Sequence, residues 1–259
     1  MAARGVQDAA AHGFEQNAAA YERARPSYPA PAISCIVGRA GMGPGRRVVD
    51  LAAGTGKLTR LLVPSGADVV AVEPVEAMRA ELGRAVPDVE IVDGTAEAIP
   101  LPDASVAAIT VAQAFHWFDP ELSLREMRRV LEPGGCLVLT WNTRDRGYDW
   151  VREFGELLVD GDLERPYDSY YEVDYAQIVA DAGGYTPVER FEVEWEQPFD
   201  VDLLVARAAS VSVVGALPGD EREAVLDRVR NLAATHPDLA GRDSFGFPYT
   251  TRVFWCYKT

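Results

Sequence analysis

Between Arg46 and Asn142 short apolar runs alternate with helical patterns at a spacing of roughly twenty residues, the rhythm of βαβ units and a parallel sheet. The runs are "RVVDLAA", "DVVAVEP", "VEIVDG", "VAAITVAQAF" and "GCLVLTWN". After the first, Leu58, Leu61 and Leu62 share one helical face. After the fourth, Asp119 suits an N-cap, with Pro120 at the first helical position. Leu124, Met127, Val130 and Leu131 then give a buried stripe, and "EPGG" is expected to end that helix.

Beyond Asn142 the pattern changes. "DYAQIVADAGG" reads as a helix closed by glycine, and "VERFEVEWEQPF" alternates, with Phe191, Val193 and Trp195 on one side and Glu192, Glu194 and Glu196 toward water. From about Val201 to Leu239 the pattern is helical, with Val225, Leu226, Val229 and Leu232 on one face. "TTRVFWCYK" reads as a last strand. The expected organisation is an N-terminal helical lid segment over 1–45, a Rossmann-like core over 46–199, a helical cap inserted over 200–245, and a final strand of the core sheet over 246–259. A length of 259 residues leaves ample chain for such a core.

The formal charge of −15 argues against a nucleic-acid backbone or an anionic membrane surface as partner, since both need clustered Lys and Arg. The cysteines Cys35, Cys136 and Cys256 make no CxxC pair, so neither a metal site nor a disulfide framework is indicated. The N-terminus "MAARGVQDAAAHGFEQ" has no apolar signal core, which makes the cytoplasm the expected location.

The turn in "VVDLAAGTGKLTRLL", Val48 to Leu62, invites two nucleotide readings. A phosphate loop needs glycine five positions before the glycine of GK and Ser or Thr after the lysine; Leu51 and Leu58 stand there, so that reading fails. A dinucleotide fingerprint wants a small third residue where Thr59 stands, which weakens an NAD reading. What remains is an acid at a strand end, Asp50, followed by small residues at Ala52, Gly54 and Gly56, through which a backbone can approach a ligand closely. A second acid, Glu73, ends the next run, where a carboxylate can take both ribose hydroxyls.

With "VVAVEPVEAMRAEL", "DGTAEAIPLPDASVAAITVAQAFHWFD" and "MRRVLEPGGCLVLTWN", this stretch resembles the successive motifs of class I S-adenosylmethionine-dependent methyltransferases. The flanks "YERARPSYP" and "FPYTTRVFWCYK" resemble the small-molecule branch that includes trans-aconitate methyltransferase-like enzymes. The resemblance implies an α/β, Rossmann-like fold with a seven-stranded, mostly parallel sheet flanked by helices, its final strand antiparallel. It implies S-adenosylmethionine as cofactor, with Ala52, Gly54 and Gly56 along the methionine part and Glu73, beside Pro74, at the ribose. Met78 would pack near the adenine, Thr95, Ala96 and Glu97 would border it, and Ala112 and Gln113 would face the sulfonium. Two positions depart from the family pattern: Ala52 replaces its first glycine, and Ala107 stands where strand four usually carries Asp.

Methyl transfer from a sulfonium is an in-line displacement, so the protein supplies orientation, desolvation and sometimes a base. His116, in "FHWFD", could deprotonate a hydroxyl or amine, or could simply be a packed loop anchor; a carboxylate acceptor would need no base. Arg25 and Tyr21 could bind the cofactor or a substrate carboxylate, and Tyr28 the substrate, or all three could anchor a surface helix before the prolines. Trp117, Trp141, Tyr170, Tyr171 and Tyr175 could offer π faces to a cation, and Asn142 could orient an amine or carboxylate. The expected function is methyl transfer to an O or N nucleophile, a carboxylate included, of a small molecule. Two alternatives stay open: a cyclase or lyase in which the cofactor's own amine attacks, and a non-methylating cofactor-binding protein.

Overall fold

The computed structural model describes residues 25–158 and 173–259, so Tyr21, Tyr170 and Tyr171 lie outside the described residues. Seven strands form one sheet: β1 Arg47–Leu51, β2 Asp68–Val72, β3 Glu90–Val92, β4 Val106–Ala112, β5 Leu131–Arg144, β6 Glu189–Phe199 and β7 Phe245–Tyr257. Their spatial order is β3-β2-β1-β4-β5-β7-β6, and β1 to β5 pair in parallel. The last strand in the chain, β7, runs against its neighbours. The Gly134 N–H donates to Lys258 O at one end of the β5–β7 pair and the Asp145 N–H to Pro248 O at the other, so the chains run in opposite directions. Tyr185, just ahead of β6, makes an antiparallel bridge with Lys258.

Burial explains which sequence patterns made which strands. In β1, β2 and β4 nearly every residue is buried, as a strand covered on both faces requires. β6 alternates instead, and it lies at the sheet edge, where one face meets water. Its outward glutamates are the kind of charge that discourages edge-to-edge pairing.

The helices among the described residues are α1 Ala30–Arg39, α2 Thr59–Leu62, α3 Glu76–Ala85, α4 Pro120–Val130, α5 Asp149–Leu157, α6 Tyr175–Ala182, α7 Val201–Ala209, α8 Ser212–Gly215 and α9 Gly219–Thr235. Asp119 caps α4 by accepting the Leu122 N–H at 3.0 Å, and Pro120 opens it. Its buried Leu124, Met127 and Val130 each contribute about 1.5–3 kcal/mol of apolar burial. The helix stops at Val130, and "EPGG" is a bulge inside β5, where the pairing jumps from Val106↔Leu131 to Ala108↔Cys136. Asp174 caps α6 through the Gln177 N–H, and Gly183 and Gly184, both at positive φ, end it.

The chain divides into two compact units. One comprises 27–142, 173–193 and 251–259; it packs Tyr28, Ala32 and Ile36 of the α1 region with Val48, Leu62, Val138 and Trp255. The described part of the other comprises 25–26, 143–158 and 194–250, with a core of Trp150, Phe154, Leu204, Val229, Phe247 and Tyr249. The buried face of α9 includes Val225, Leu226, Val229 and Leu232, as its spacing predicts. Among the described residues no helix is long and apolar enough to cross a membrane.

Strand order fixes where a ligand can enter the first unit. From β1 the chain moves outward to β2 and β3, then returns to β4 on the other side of β1. The crossovers diverge there, which opens a crevice at the carboxyl ends of β1 and β4.

Candidate active site

The turn after β1 is braced from below by Asp50. This carboxylate is 1% exposed; its Oδ2 accepts the Thr59 hydroxyl at 2.6 Å, and Oδ1 lies 3.2 Å from Thr110 Oγ1. Burial pushes its pKa up to about 6 against the opposing pull of the two threonines. Asp50 therefore ties the first turn of α2 and strand β4 to the end of β1. Above it the backbone turns left-handed at Ala52 (φ 54°), Gly54 (φ 57°) and Gly56 (φ 82°). The two glycines are needed for different reasons. A Cβ at Gly56 would stand 3.0 Å from Leu82 Cγ, whereas a Cβ at Gly54 would meet nothing within 4 Å. The face of Gly54 is open to a ligand.

Glu73, at the end of β2, faces that turn. It is 5% exposed, accepting the Gly54 N–H at 2.9 Å on Oε2 and the Val75 N–H at 3.0 Å on Oε1. Burial raises its pKa, opposed by these two backbone donors and by Arg79, whose Nη1 donates to the Glu73 carbonyl. Each carboxylate oxygen takes one of these bonds and retains capacity for another donor. Pro74 is exposed after it, and Met78 is buried on α3. Beyond β3, Thr95 is exposed and bridges Ala98, Ala96 is buried, and Glu97 accepts the Asp119 N–H.

A second sharp turn follows β4. Ala112 pairs with Thr140, and Gln113 adopts φ 57°, its N–H bonded to Thr140 O and its Nε2 donating to Asn142 O at 3.2 Å. The chain then forms a 3-10 turn, Phe115–Trp117, in which the rings of His116 and Trp117 are 4.9 Å apart. Asn142 is 3% exposed: Nδ2 donates to Ser27 O at 2.7 Å and Oδ1 accepts the Thr251 hydroxyl at 2.6 Å. It knots the entry to α1, β5 and β7 together. Trp141 stacks on Tyr175 at 4.1 Å, and Phe115 and Phe254 meet Tyr175 and Trp141 edge-on or tilted. Trp141 Nε1–H is buried without a hydrogen-bond partner among the described residues.

The remaining candidates lie elsewhere. Tyr28 is 8% exposed within the core cluster of α1. Arg25 donates from Nη2 to Ser210 O at 2.9 Å, within the helical unit. A separate recess of about 800 Å³ on the α4 side is lined by Glu97, Asp103, Arg125, Arg128, Arg129 and Lys258 among others. Its Arg129 is taken up by Glu126 and Asp103, and Lys258 Nζ donates to Leu131 O, so it reads as a surface ion-pair network. Sequence reasoning missed the two threonines that hold Asp50. Thr110, a polar residue inside the otherwise apolar run of β4, was the available signal.

Comparison with known proteins gives the same answer as the geometry. A family model described as a methyltransferase domain matches residues 49–139, spanning both sharp turns. An uncharacterized methyltransferase of Mycobacterium tuberculosis is 46% identical over 239 residues, covering 92% of each chain. The chain is a class I S-adenosylmethionine-dependent methyltransferase. An uncharacterized methyltransferase-like protein of Schizosaccharomyces pombe is 31% identical over 242 residues, 93% of each chain. A structure described as a type II methyltransferase from Anaeromyxobacter dehalogenans aligns with TM-score 0.64 at 23% identity, covering 90% of this chain and 97% of that one, and supports the same fold. The family's cofactor is S-adenosylmethionine, and the residues present fit it. The open face of Gly54 lets the backbone approach closely, and beside it Glu73 offers a buried carboxylate to a vicinal diol.

Proposed function

We propose that this methyltransferase acts on an O or N nucleophile of a small molecule, and that it binds its cofactor between the turns after β1 and β4. When bound, S-adenosylmethionine supplies an activated methyl group on a sulfonium. The single observation that carries the assignment is the pairing of Glu73 with Gly54, a carboxylate and an open glycine fixed to each other at 2.9 Å. Glu73 takes the ribose hydroxyls and Gly54 and Gly56 border the methionine portion, with Ala52 holding the same left-handed turn. Met78 and Ala96, both buried, wall the adenine side, with Pro74, Thr95 and Glu97 at its rim. Asp50 acts one step removed, by fixing the turn.

Gln113, strained at positive φ and tied to Asn142, holds Ala112 and the 3-10 turn toward the reacting end. Trp141 and Tyr175 shut out water with two stacked rings, and Trp117 and His116 follow from the neighbouring turn. In this reading His116 takes the proton from a hydroxyl or amine acceptor, while Asn142 positions the strand end. The helical segment over 200–245, inserted between β6 and β7 in the chain, belongs to the helical unit. A formal charge of −15 and the absence of any large basic run favour a small acceptor over nucleic acid.

The test is product identity. Incubation with S-adenosylmethionine and a metabolite library should give S-adenosylhomocysteine only in wells that hold an acceptor. Rapid, acceptor-free release of methylthioadenosine would overturn methyl transfer to a small molecule as the reaction.

A further inference from the structure

The helical unit buries a cation that the turns after β1 and β4 do not use. Arg207, in the last turn of α7, is 4% exposed. Its Nη1 donates to Ser210 Oγ at 3.3 Å, and among the described residues its Nε–H has no hydrogen-bond partner and no carboxylate forms an ion pair with it. The Ser210 hydroxyl spends its own hydrogen on the Arg207 carbonyl at 2.8 Å, and Arg25 donates to the Ser210 carbonyl at 2.9 Å. Two guanidinium groups thus converge on one serine within the same unit. That unit also buries the Tyr249 hydroxyl, which has no hydrogen-bond partner among the described residues.

A guanidinium keeps its charge inside proteins, and a buried charge without a counter-ion is strongly unfavourable. The C-terminal dipole of α7 offsets only a small part of that. Carboxylates are not scarce, with 40 acidic residues against 25 basic ones. Half-buried Arg129 and exposed Arg230 each hold two of them. The protein places carboxylates on surface arginines and leaves the buried Arg207 with a neutral hydroxyl. That is the arrangement of a site whose anion arrives with its ligand.

We infer that Arg207, with Arg25 as a second cation across Ser210, binds the oxyanion of a small molecule, a carboxylate or a phosphate. The alternative is a guanidinium kept only as a filler at the end of α7.

The test titrates the full-length protein with inorganic phosphate and, separately, with citrate. It follows the melting temperature and, by peptide mass mapping, the labelling of Arg207 by phenylglyoxal. At least one anion should raise the melting temperature saturably and slow the labelling. Arg207→Met should weaken that anion's effect about tenfold or more, while Arg207→Lys retains part of it, because the bidentate guanidinium contact is what is lost. Affinity for S-adenosylmethionine, measured by calorimetry, should stay within about twofold in both variants, since the charge-assisted contacts assigned to the cofactor are made elsewhere. Equal responses of the parent and Arg207→Met to both anions would overturn the inference. So would an Arg207 that is unreactive, or labelled equally with and without them; the labelling arm decides the matter on the parent alone if Arg207→Met does not fold. The two proposals fail separately. Methyl transfer only to macromolecules would end the small-molecule reading without altering the anion titration. An absent anion response in the parent would end the anion site without touching small-molecule transfer.

Discussion

Both units bury ionisable groups, but they treat them differently. In the first, Asp50 and Glu73 sit 1% and 5% exposed, and every carboxylate oxygen has a hydrogen-bond partner on a neighbouring strand or turn: Thr59, Thr110, Gly54 or Val75. In the helical unit, Arg207 is equally buried and has one hydroxyl at 3.3 Å. The first arrangement is complete before any ligand arrives, so it can present a donor molecule in one geometry. The second is incomplete as it stands. On our reading the first unit holds the chemistry of methyl donation, and the second holds an anion site of its own.

That contrast also governs what the sequence reveals. Backbone demands leave a mark on local sequence, so the turn after β1 was legible from Gly54 and Gly56, and β4 from its unbroken apolar run. The helical stripe of α9 and the alternation of β6 were equally plain, because burial on one face imposes a period. Long-range polar partners leave no such mark. Nothing local tells that Asn142 meets Ser27 and Thr251 across more than a hundred residues, or that Arg25 and Arg207 share Ser210. Tyr28 shows the limit from the other side: an aromatic beside prolines reads equally as pocket wall or as core, and it packs with Ala32 and Ile36.

The largest effect should come from His116, which separates chemistry from binding. His116→Ala should lower turnover by about 10² while cofactor affinity remains nearly intact. Single-turnover rates with calorimetry of S-adenosylmethionine binding would check it. A variant with near-normal turnover would make His116 a packing residue and leave the first unit without a base.

Glu73→Ala should weaken S-adenosylmethionine binding at least tenfold, since each charge-assisted hydrogen bond contributes roughly 1.5–3 kcal/mol. Glu73→Gln should do little better, because its amide must present an N–H to the Gly54 or the Val75 N–H, both donors. Calorimetry on folded variants decides; unchanged affinity in both would remove the ribose assignment.

Asp50 tests whether the first unit is as settled as it looks. Its folded pKa of about 6 lies above the ordinary 3.8, so the folded state holds this proton more tightly. The group's stabilisation is therefore fully present below pH 3.8 and is lost as pH rises through about 6. Thr110 lies 3.1 Å from Val49 O and 3.2 Å from Asp50 Oδ1, so a protonated Asp50 can donate to Thr110 while Thr110 donates onward. Asp50→Asn reproduces that pattern. Its stability should match or exceed the parent at pH 7.5, and should vary less between pH 5 and 7, by about 1 kcal/mol. Asp50→Ala strands the buried Thr59 hydroxyl, while Thr110 keeps Val49 O, and should lose about 1–3 kcal/mol. Urea melts across this range measure both; a marked loss in Asp50→Asn at neutral pH would mean the turn needs the charge.

The smallest expected effect is at Ala52, where the family pattern has glycine and this chain keeps the left-handed turn at φ 54° regardless. A left-handed alanine costs roughly 1–2 kcal/mol relative to a relaxed backbone. Glycine removes that strain but adds about 0.5–1 kcal/mol of chain entropy to be lost on folding. Ala52→Gly should therefore stabilise the protein by something under about 1 kcal/mol, with cofactor affinity unchanged within about twofold. The sign matters more than the size. If Ala52→Gly destabilises, the methyl of Ala52 is packing against something that offsets its strain, and the turn after β1 is held by side-chain contact as well as by Asp50. If it stabilises and leaves binding alone, the turn's shape belongs to its hydrogen bonds, and the first unit reaches its ligand-ready form without help from the side chain at this position.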